Sequence, residues 1–533
     1  MHDLECDVLC VGAGPVGLLV AFQLSRFGCR PLVVEQLDKR DLGYYGRATT
    51  MWPRTLEMID ALGLLDGMLE QGVISRSGTN FKDGKAVSGG LVFGHRMDKH
   101  GDTRFKFALH LRQMYTEQSI VKELERMNHR VRFGHKLVRF EQDSTSVRKY
   151  IVGADGGKSL AVVHTNMPNE RGLNSVQSPT HGLVLFAPID AGTTRIGFFM
   201  PQHLADKCGN QGVTAEAAMA EAKKAVLPFT LDFERVDWVT LYGIGQRLAS
   251  EFIRNRVILA GDSCHTHSSG SAQGLNTGTH DACNLGWKLA MDLKGFSKPE
   301  LLQSYNDERR GSVQTVIDND VIIASLVSGR LPAELAHRKE NPRDLLDEWF
   351  SNRTAVEFTL GLGIKYPPKN VINQFDDGAS LSCIVPGERG PDVELSRTGT
   401  CESVWLQRIL INDCKFGIVV FTGRPLHTSN AIQTASEYIA SAASLTDTFQ
   451  QDVFRFVTVI AGYGTGAQEV LGSKPIGTPY FDTKELAHDV YGIDPKRGAV
   501  IVFRPDGYIG TVVAITEMHK LSEYFGRILE EQK

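Results

Sequence analysis

The chain is poor in cysteine, and its cysteines form no pattern. The nine in 533 residues are odd in number and scattered, with no C-x-x-C pair. That argues against a disulfide framework and for a reducing compartment. Charge of one sign is also missing: Lys and Arg total 58, Asp and Glu 62, and the formal net charge is -4. Nothing in that balance points to nucleic acid or an anionic membrane as partner, although local basic clusters could still serve a phosphate. No apolar run approaches the ~20 residues that cross a bilayer, and the N-terminus has no signal-peptide pattern, so the cytoplasm is the expected location. Internal repeats and low-complexity segments are lacking as well. What remains is an ordinary globular composition, 42% apolar and 23% charged. The length is too great for one core, and about three domains is the prior expectation.

The most informative stretch is Cys6 to Glu35, CDVLCVGAGPVGLLVAFQLSRFGCRPLVVE. Asp7 to Val11 suits a short buried parallel strand. Gly12, Gly14 and Gly17 then fall in G-x-G-x-x-G spacing, followed by Leu18, Leu19, Ala21, Phe22 and Leu24 at helical intervals. A second apolar run, Pro31 to Val34, closes on Glu35. The whole reads as a βαβ unit suited to a dinucleotide. One glycine makes the tight turn, one admits the pyrophosphate to the backbone, one lets helix and strand pack, and the helix N-terminus faces the phosphate charge. A carboxylate at Glu35 can accept from ribose hydroxyls. Strand, glycines, helix, strand and acid together say far more than the glycines alone.

Further along, Leu56, Ile59, Leu62, Leu65 and Met68 predict one amphipathic helix that begins near Arg54 and Glu57. Arg47 precedes it in a loop, a fair position for a phosphate or flavin contact. Leu109 to Arg132 reads as a strand end, a helix and a turn. Tyr150 to Ser159, YIVGADGGKS, carries a strand into a glycine-rich turn at Asp155, and Val257 to His267, VILAGDSCHTH, is another strand ending in Gly-Asp. QGLNTGTHDACNLGWKLAMDL begins as a glycine-bearing loop and becomes a helix. Proline and charge thicken at Leu331–Asp344 and Tyr366–Lys369, marking a linker. From about Cys383 the strands Phe416–Phe421, Phe454–Ile460 and Ala499–Phe503 describe a separate small α/β domain. Cys264, His265, His267, His280 and Cys283 are zinc-type ligands, but they lie inside the Gly-Asp motif without a supporting carboxylate pattern, which disfavours a metal. AGYGTGA, with Gly462, Gly464 and Gly466, has the wrong spacing for a second nucleotide site and reads as a loop.

Three motifs in this order, CVGAGPVG, VGADGGKS and RVILAGDSCHTH with QGLNTG, resemble those of the flavin-dependent aromatic hydroxylases, and most closely the phenol 2-monooxygenase branch. The likeness extends over most of the chain, including the tail VYGIDPKRGAVIVFRPDGYIGTVV. It implies a p-hydroxybenzoate hydroxylase-like α/β fold. A Rossmann-like FAD-binding domain would comprise 1–72, 105–160 and 240–330, with an inserted β-sheet substrate domain at 73–104 and 161–239. A helical linker region (331–382) and a C-terminal thioredoxin-like domain (383–533) would follow. By the same resemblance Gly12, Gly14, Gly17 and Glu35 hold the ADP half of FAD, and Gln113 and Arg47 contact the flavin side. Asp262 binds the ribityl or pyrophosphate region, and Gly274, Leu275 and Asn276 lie along the isoalloxazine ring. Asp155 belongs to a turn used for both FAD and NADPH. The implied activity is hydroxylation of a phenolic substrate with NADPH or NADH and O2, through a flavin hydroperoxide.

Departures from the family pattern are informative. Ser269 and Ala272 stand where the family commonly has proline and glycine in the HTHSP…GQG loop. Thr49 replaces an aspartate of phenol-selective members, and Gly197, Phe198 and Phe199 occupy the region of a substrate-side tyrosine. That leaves Tyr242, in LYGIGQR, as the expected phenol-deprotonating residue. The stretch Glu141 to His181 is shorter than the family's. Cys401 and Cys414 do not form a C-x-x-C pair, which removes dithiol chemistry from the C-terminal domain and leaves it a structural or homodimer-contact role. Two other readings keep the flavin: a polyketide-tailoring Baeyer–Villiger or epoxidising monooxygenase, and a catalytically degenerate relative.

Overall fold

A strand buried on both faces needs an apolar run, and Val8–Val11 and Pro31–Glu35 supply one each, joined by the helix Pro15–Arg26. In the computed structural model these two strands pair in parallel, Val8 opposite Pro31 and Val11 opposite Val34. The structure describes residues 5–40, 42, 45–46, 48–87, 97, 102–141, 150–153, 160–168, 172–200, 213–239, 245–268, 271–368, 370–374 and 381–532. The first sheet has the order Ile253–Arg254, Val257–Leu259, Tyr150–Gly153, Val8–Val11, Pro31–Glu35, Val131–Phe133. All its pairings are parallel except the first. The strand ends that carry Gly12, Glu35 and Gly261 therefore share one edge, the place where open parallel sheets bind ligands.

A second sheet runs Leu231–Trp238, Leu160–Thr165, Thr194–Gly197, Gly182–Pro188, Leu173–Ser178, Gly78–Lys82, Lys85–Val87. It is antiparallel but for the pairing of Gly78–Lys82 with Leu173–Ser178. Arg112, just after the central strand of a small three-stranded sheet ordered Thr50–Met51, Ala108–His110, Val73–Ser75, fastens the second sheet to it. Its backbone N–H donates to Asp190 Oδ2 at 2.6 Å, its Nε to Asp190 Oδ1 at 2.5 Å, and its Nη1 lies 3.4 Å from Asp237 Oδ2.

The third sheet has the order Ser403–Trp405, Glu394–Arg397, Thr478–Asp482, Phe454–Ala461, Phe416–Phe421, Ala499–Phe503, Ile509–Val513. Both faces of Phe416–Phe421 are buried, with different neighbours. Val419 and Phe421 pack into a core internal to this sheet. Phe416, Ile418 and Val420 join a continuous apolar cluster with Leu18, Leu285 and Trp287, so the C-terminal region shares its core with the glycine-loop helix. Trp287 and Phe416 meet edge to face with ring centroids 5.5 Å apart.

Two expectations change. The helix near Arg54 is two helices, Pro53–Ala61 and Leu65–Leu69, because Gly63 takes a φ of 73° between them. The segment expected to open as a loop is helical from its first residue, Gln273, through Leu293. Trp52 and Asn276 tie those two regions together, the Trp52 N–H donating to Asn276 Oδ1 at 2.9 Å.

A buried charge network joins the helix Gln273–Leu293, the long helix after it, the segment around Asn370 and the C-terminal region. Glu308, on the long helix Pro299–Val327, accepts from Lys288 at 2.7 Å, from Arg504 Nη1 and Nη2 at 2.7 and 2.9 Å, and from Asn284 at 2.9 Å. Asn370 and Asn373 each donate to it at 3.0 Å. Arg504 also pairs with Asp506 at 2.6 Å, and Arg54 donates to the Asp506 carbonyl at 2.7 Å. Removing one partner of a buried pair leaves the other charge uncompensated. Arg504→Met is therefore expected to destabilise the protein by about 3–5 kcal/mol. Denaturant unfolding followed by far-UV circular dichroism checks this, and an unchanged midpoint contradicts it.

Candidate cofactor and substrate site

The glycine loop is built by its own backbone. Gly12 adopts a φ of 104° and its N–H donates to Val34 O at 2.8 Å. Gly14 caps the helix Pro15–Arg26 without a side-chain hydrogen bond, Pro15 sits in the first turn, and that turn carries no acid. The donors of this helix end are left for an anion. Gly17 lies in the same helix, buried against its neighbours.

Glu35 ends its strand buried, and its carboxylate folds back over the loop. Oε2 accepts from Ala13 N at 2.9 Å and Oε1 from Leu37 N at 3.0 Å. Lys39 lies 3.7 Å from Glu35 Oε2 and donates to Ala13 O at 2.8 Å and to Glu117 Oε2 at 2.9 Å. Gln113, at the start of the helix Gln113–Arg126, donates to Glu117 Oε1 at 2.8 Å. Lys39 and Glu117 thus link Glu35 to Gln113, a bridge the motifs did not reveal. A Cβ at Gly46, which has a φ of 96°, would fall 2.5 Å from Gln113 Cβ, so only glycine lets that loop pass.

Asp262 and the start of the helix Gln273–Leu293 approach the same helix from the other side. A Cβ at Gly261 would lie 2.9 Å from Val16 Cγ2, and one at Gly278 only 2.6 Å from it. Both segments press on the first turn of the glycine-loop helix, and Asp262 is exposed at that junction. Among the described residues nothing lies within 4 Å of where a Cβ at Gly274 would stand. Leu275 is buried beside it. The side chain of Asn276 is spent on the protein, donating to Thr50 O at 3.0 Å and Ala272 O at 2.6 Å. An uncapped helix end, an exposed acid at a strand terminus and an open first turn are the donor set and space that FAD requires. Of the other expected site residues, Arg47, Asp155 and Tyr242 lie outside the described residues.

Where the small three-stranded sheet of Thr50–Met51, Ala108–His110 and Val73–Ser75 meets the second sheet, Arg195 Nη1 donates to Thr49 Oγ1 at 3.2 Å and Thr50 Oγ1 lies 3.0 Å from His110 Nδ1. Burial, reinforced by Arg195, pushes His110 down to about 4, and its buried Nε2 has no hydrogen-bond partner among the described residues. No motif marked His110; its place in a short apolar strand, Ala108–His110, was the only signal.

Cys264 and His265 do come together, with Asp281, a carboxylate that the motif reading left out. Hydrogen bonds account for them. Asp281 accepts from Arg309 Nε at 2.7 Å and from Gly261 N at 2.9 Å, and meets His265 Nε2 at 2.7 Å. The guanidinium there would repel a cation. His280 lies elsewhere, against Gly361.

This geometry defines a dinucleotide-binding flavoprotein site. A family described as FAD binding domain matches residues 5–178 and 170–320, and one described as phenol hydroxylase, C-terminal dimerisation domain, matches residues 477–533. The chain belongs to the first of these families, the flavin-dependent aromatic hydroxylases, and is an FAD-dependent monooxygenase. It is 26% identical to phenol 2-monooxygenase fsqG of Aspergillus fumigatus, over 97% of this chain and 95% of that protein. It is also 26% identical to 3-hydroxybenzoate 4-monooxygenase of Comamonas testosteroni, over 98% and 94%. Among solved structures, flavin-dependent monooxygenase PieE in complex with FAD and substrate shares the fold at a TM-score of 0.70 and 18% identity, with 99% of each chain covered.

Two outcomes are expected. Ala272 caps the helix Gln273–Leu293 at φ 55° and ψ 37°, a left-handed conformation that costs an alanine about 1–2 kcal/mol. After glycine's larger unfolded-state entropy is subtracted, Ala272→Gly should raise stability by roughly 0.5–1 kcal/mol. A higher denaturant midpoint of the apoprotein checks it; a lower one contradicts it. The second outcome concerns acid. Burial holds His110, His267 and His280 below their ordinary value, so the unfolded chain takes up protons first, and stability should fall as pH drops from about 6.5 toward 4. Glu57 and Asp281, held down to about 2 by arginines that outweigh burial, extend the loss below pH 4. Asp392, pushed up to about 7 by burial, and Glu117, also raised by burial, oppose it as two groups against three histidines. Melting temperature measured from pH 8 to 4 tests the sign.

Proposed function

We propose that the chain hydroxylates a small phenolic substrate with NADPH or NADH and O2. The observation that carries this reading is the close approach of Gly261, beside Asp262, and of Gly278, in the helix Gln273–Leu293, to Val16 in the first turn of the uncapped glycine-loop helix. Bound FAD supplies the electron transfer and O2 activation that side chains cannot. The amides around Gly14 and Gly17 neutralise the pyrophosphate, and Glu35 accepts from the ribose. Gln113 and Arg47 contact the flavin side, and Asp262 orients the linker between the nucleotide and the ring. The amides of Gly274, Leu275 and Asn276 lie at a helix N-terminus, where they favour negative charge on the ring. Since the Asn276 side chain is engaged with backbone, its part is played by its N–H.

Thr49, His110 and Arg195 form the wall that a substrate between the sheets would meet. His110 is neutral across the physiological range and offers a hydrogen-bonding nitrogen rather than a charge. Tyr242 is assigned the proton of the phenol. Asp155 is assigned to a cleft where the reduced nicotinamide docks transiently, because one good dinucleotide unit is present and FAD takes it.

We assign the FAD-binding domain to 1–72, 105–160 and 240–330, the substrate domain to 73–104 and 161–239, and a helical linker to 331–382. Residues 383–533 are read as thioredoxin-like. Support comes from the spatial order Ile509–Val513, Ala499–Phe503, Phe416–Phe421, Phe454–Ala461, in which Ala499–Phe503 runs antiparallel to both neighbours. A homodimer through this region agrees with the dimerisation family matched there. Among the described residues no helix is long and apolar enough to cross a membrane.

With one cleft shared between substrate and reductant, flavin reduction should depend on the phenol, which must favour the reducible arrangement by differential affinity. Stopped-flow absorbance with NADPH is expected to show reduction at least about tenfold faster when a phenolic ligand is bound, a shift of about 1.4 kcal/mol in the barrier. The product should gain one oxygen by mass. Equal rates with and without phenol, together with an ester product or none, would transfer the case to the Baeyer–Villiger or the inactive reading.

A further inference from the structure

The stretch from Gly261 to Ser268, which carries Asp262 and precedes the helix Gln273–Leu293, has as regular structure one 3-10 turn, Gly261–Ser263, and the two-residue strand His265–Thr266. Its His265–Thr266 strand pairs only with Arg247–Leu248. Two buried carboxylates hold it from beneath. Asp281 holds Gly261 N and His265 at one end. At the other end stands Asp320, 1% exposed on the long helix Pro299–Val327. It accepts from Ser268 N at 2.7 Å, from Ser268 Oγ at 2.5 Å and from Gln246 Nε2 at 3.0 Å. Gln246 immediately precedes Arg247, so Asp320 ties both strands of that small sheet to one helix. His267, whose ring stacks on His265 with centroids 6.2 Å apart, completes a polar layer between the two acids.

We infer that Asp320 is a positioning residue for the cofactor: it acts through Ser268 to fix the turn that presents Asp262 and the first turn at Gly274. The physical case is one of constraint. Ser269 stands where the family's proline would restrict the backbone, and Ala272 adopts a left-handed conformation. The chain therefore relies on tertiary contacts to hold the turn. A buried carboxylate that accepts from both a backbone N–H and the hydroxyl of the same residue fixes its position and orientation together. Charge-assisted bonds of this kind are roughly twice as strong as neutral ones. An amide at 320 can accept at one atom only and would turn N–H donors toward Ser268 N or Gln246 Nε2.

The inference rests on FAD lying against the first turn of the helix Gln273–Leu293, and the test separates the two ideas. FAD dissociation is measured by flavin fluorescence, apoprotein melting by circular dichroism, and flavin environment by the visible circular dichroism of the bound cofactor. Asp320→Asn is expected to weaken FAD binding at least about tenfold, the loss typical of a hydrogen bond to a charged group, and to alter the visible spectrum while apoprotein melting stays close to the parent. Ser268→Ala, which removes only the hydroxyl bond, should weaken binding less. The double variant should be no worse than Asp320→Asn alone, because both act through one contact. Asp318→Asn, two residues along the helix and exposed, serves as the control and should change nothing. Gly274→Val, placed in open space, should abolish FAD binding with little effect on apoprotein melting. If it binds FAD normally, the placement of the cofactor is wrong and the inference falls with it. If it loses FAD while Asp320→Asn and Ser268→Ala bind normally, the inference alone is overturned. A fall in melting of the Asp320→Asn apoprotein with FAD affinity unchanged assigns Asp320 a structural role and also overturns it.

Discussion

Six hydrogen-bond donors converge on the carboxylate of Glu308, which has no access to solvent. An isolated charge there would carry a large desolvation penalty, so the ionised form persists only because Arg504 and Lys288 are present and further donors fill its remaining lone pairs. Those cations hold its pKa well below the ordinary carboxylate range, while burial and the neighbouring guanidinium hold Lys288 down to about 8. The geometry is demanding because the partners come from the helix Gln273–Leu293, the linker region and the strands after Ala499. None can shift without exposing an uncompensated charge. The helix Gln273–Leu293 is thereby fixed along its second half.

Close approach fixes the same helix as well. Gly278 and Gly261 admit Val16, and a Cβ at Gly286 would fall 2.5 Å from the Gln23 side chain. Gln23 in turn donates to Ala282 O at 2.8 Å. The glycine-loop helix and the helix Gln273–Leu293 are consequently packed with almost no intervening side chain. The two helices lie side by side, with Gly278 against Val16 near the carboxyl edge of the first sheet. Neither helix carries an acid in its first turn. Positive dipole ends of this kind suit a long anionic cofactor with a ring that gains charge.

Much of this was legible in order along the chain. The strand limits Val8–Val11, Phe416–Phe421 and Ala499–Phe503 follow from apolar runs, and the glycine loop from its spacing. The errors are of two kinds. Helix limits near Leu62 and Gln273 differ from the apolar pattern because Gly63 in a left-handed conformation outweighs the period, and because Gly278, which reads as a loop former, instead admits Val16 in helix packing. The Lys39–Glu117 bridge and the unpaired nitrogen of His110 could not be seen, since neither has a motif and both depend on which elements face each other.

The sequence by itself determined the local chemistry: where strands and helices form, which glycines must turn or yield space, and that an acid ends the second strand. It also carried enough of three motifs to place the chain among the FAD-binding hydroxylases. Only the tertiary structure decided which buried charges meet. Asp281 reaches His265 across 16 residues, Ser268 reaches Asp320 across 52, and Arg504 reaches Glu308 across 196. The physical reason is range. Backbone sterics and side-chain periodicity act within a few residues and are written in the order of the chain. The pairing of desolvated ions is decided by whatever the packed elements bring within 3 Å, a distance that sequence separation does not constrain.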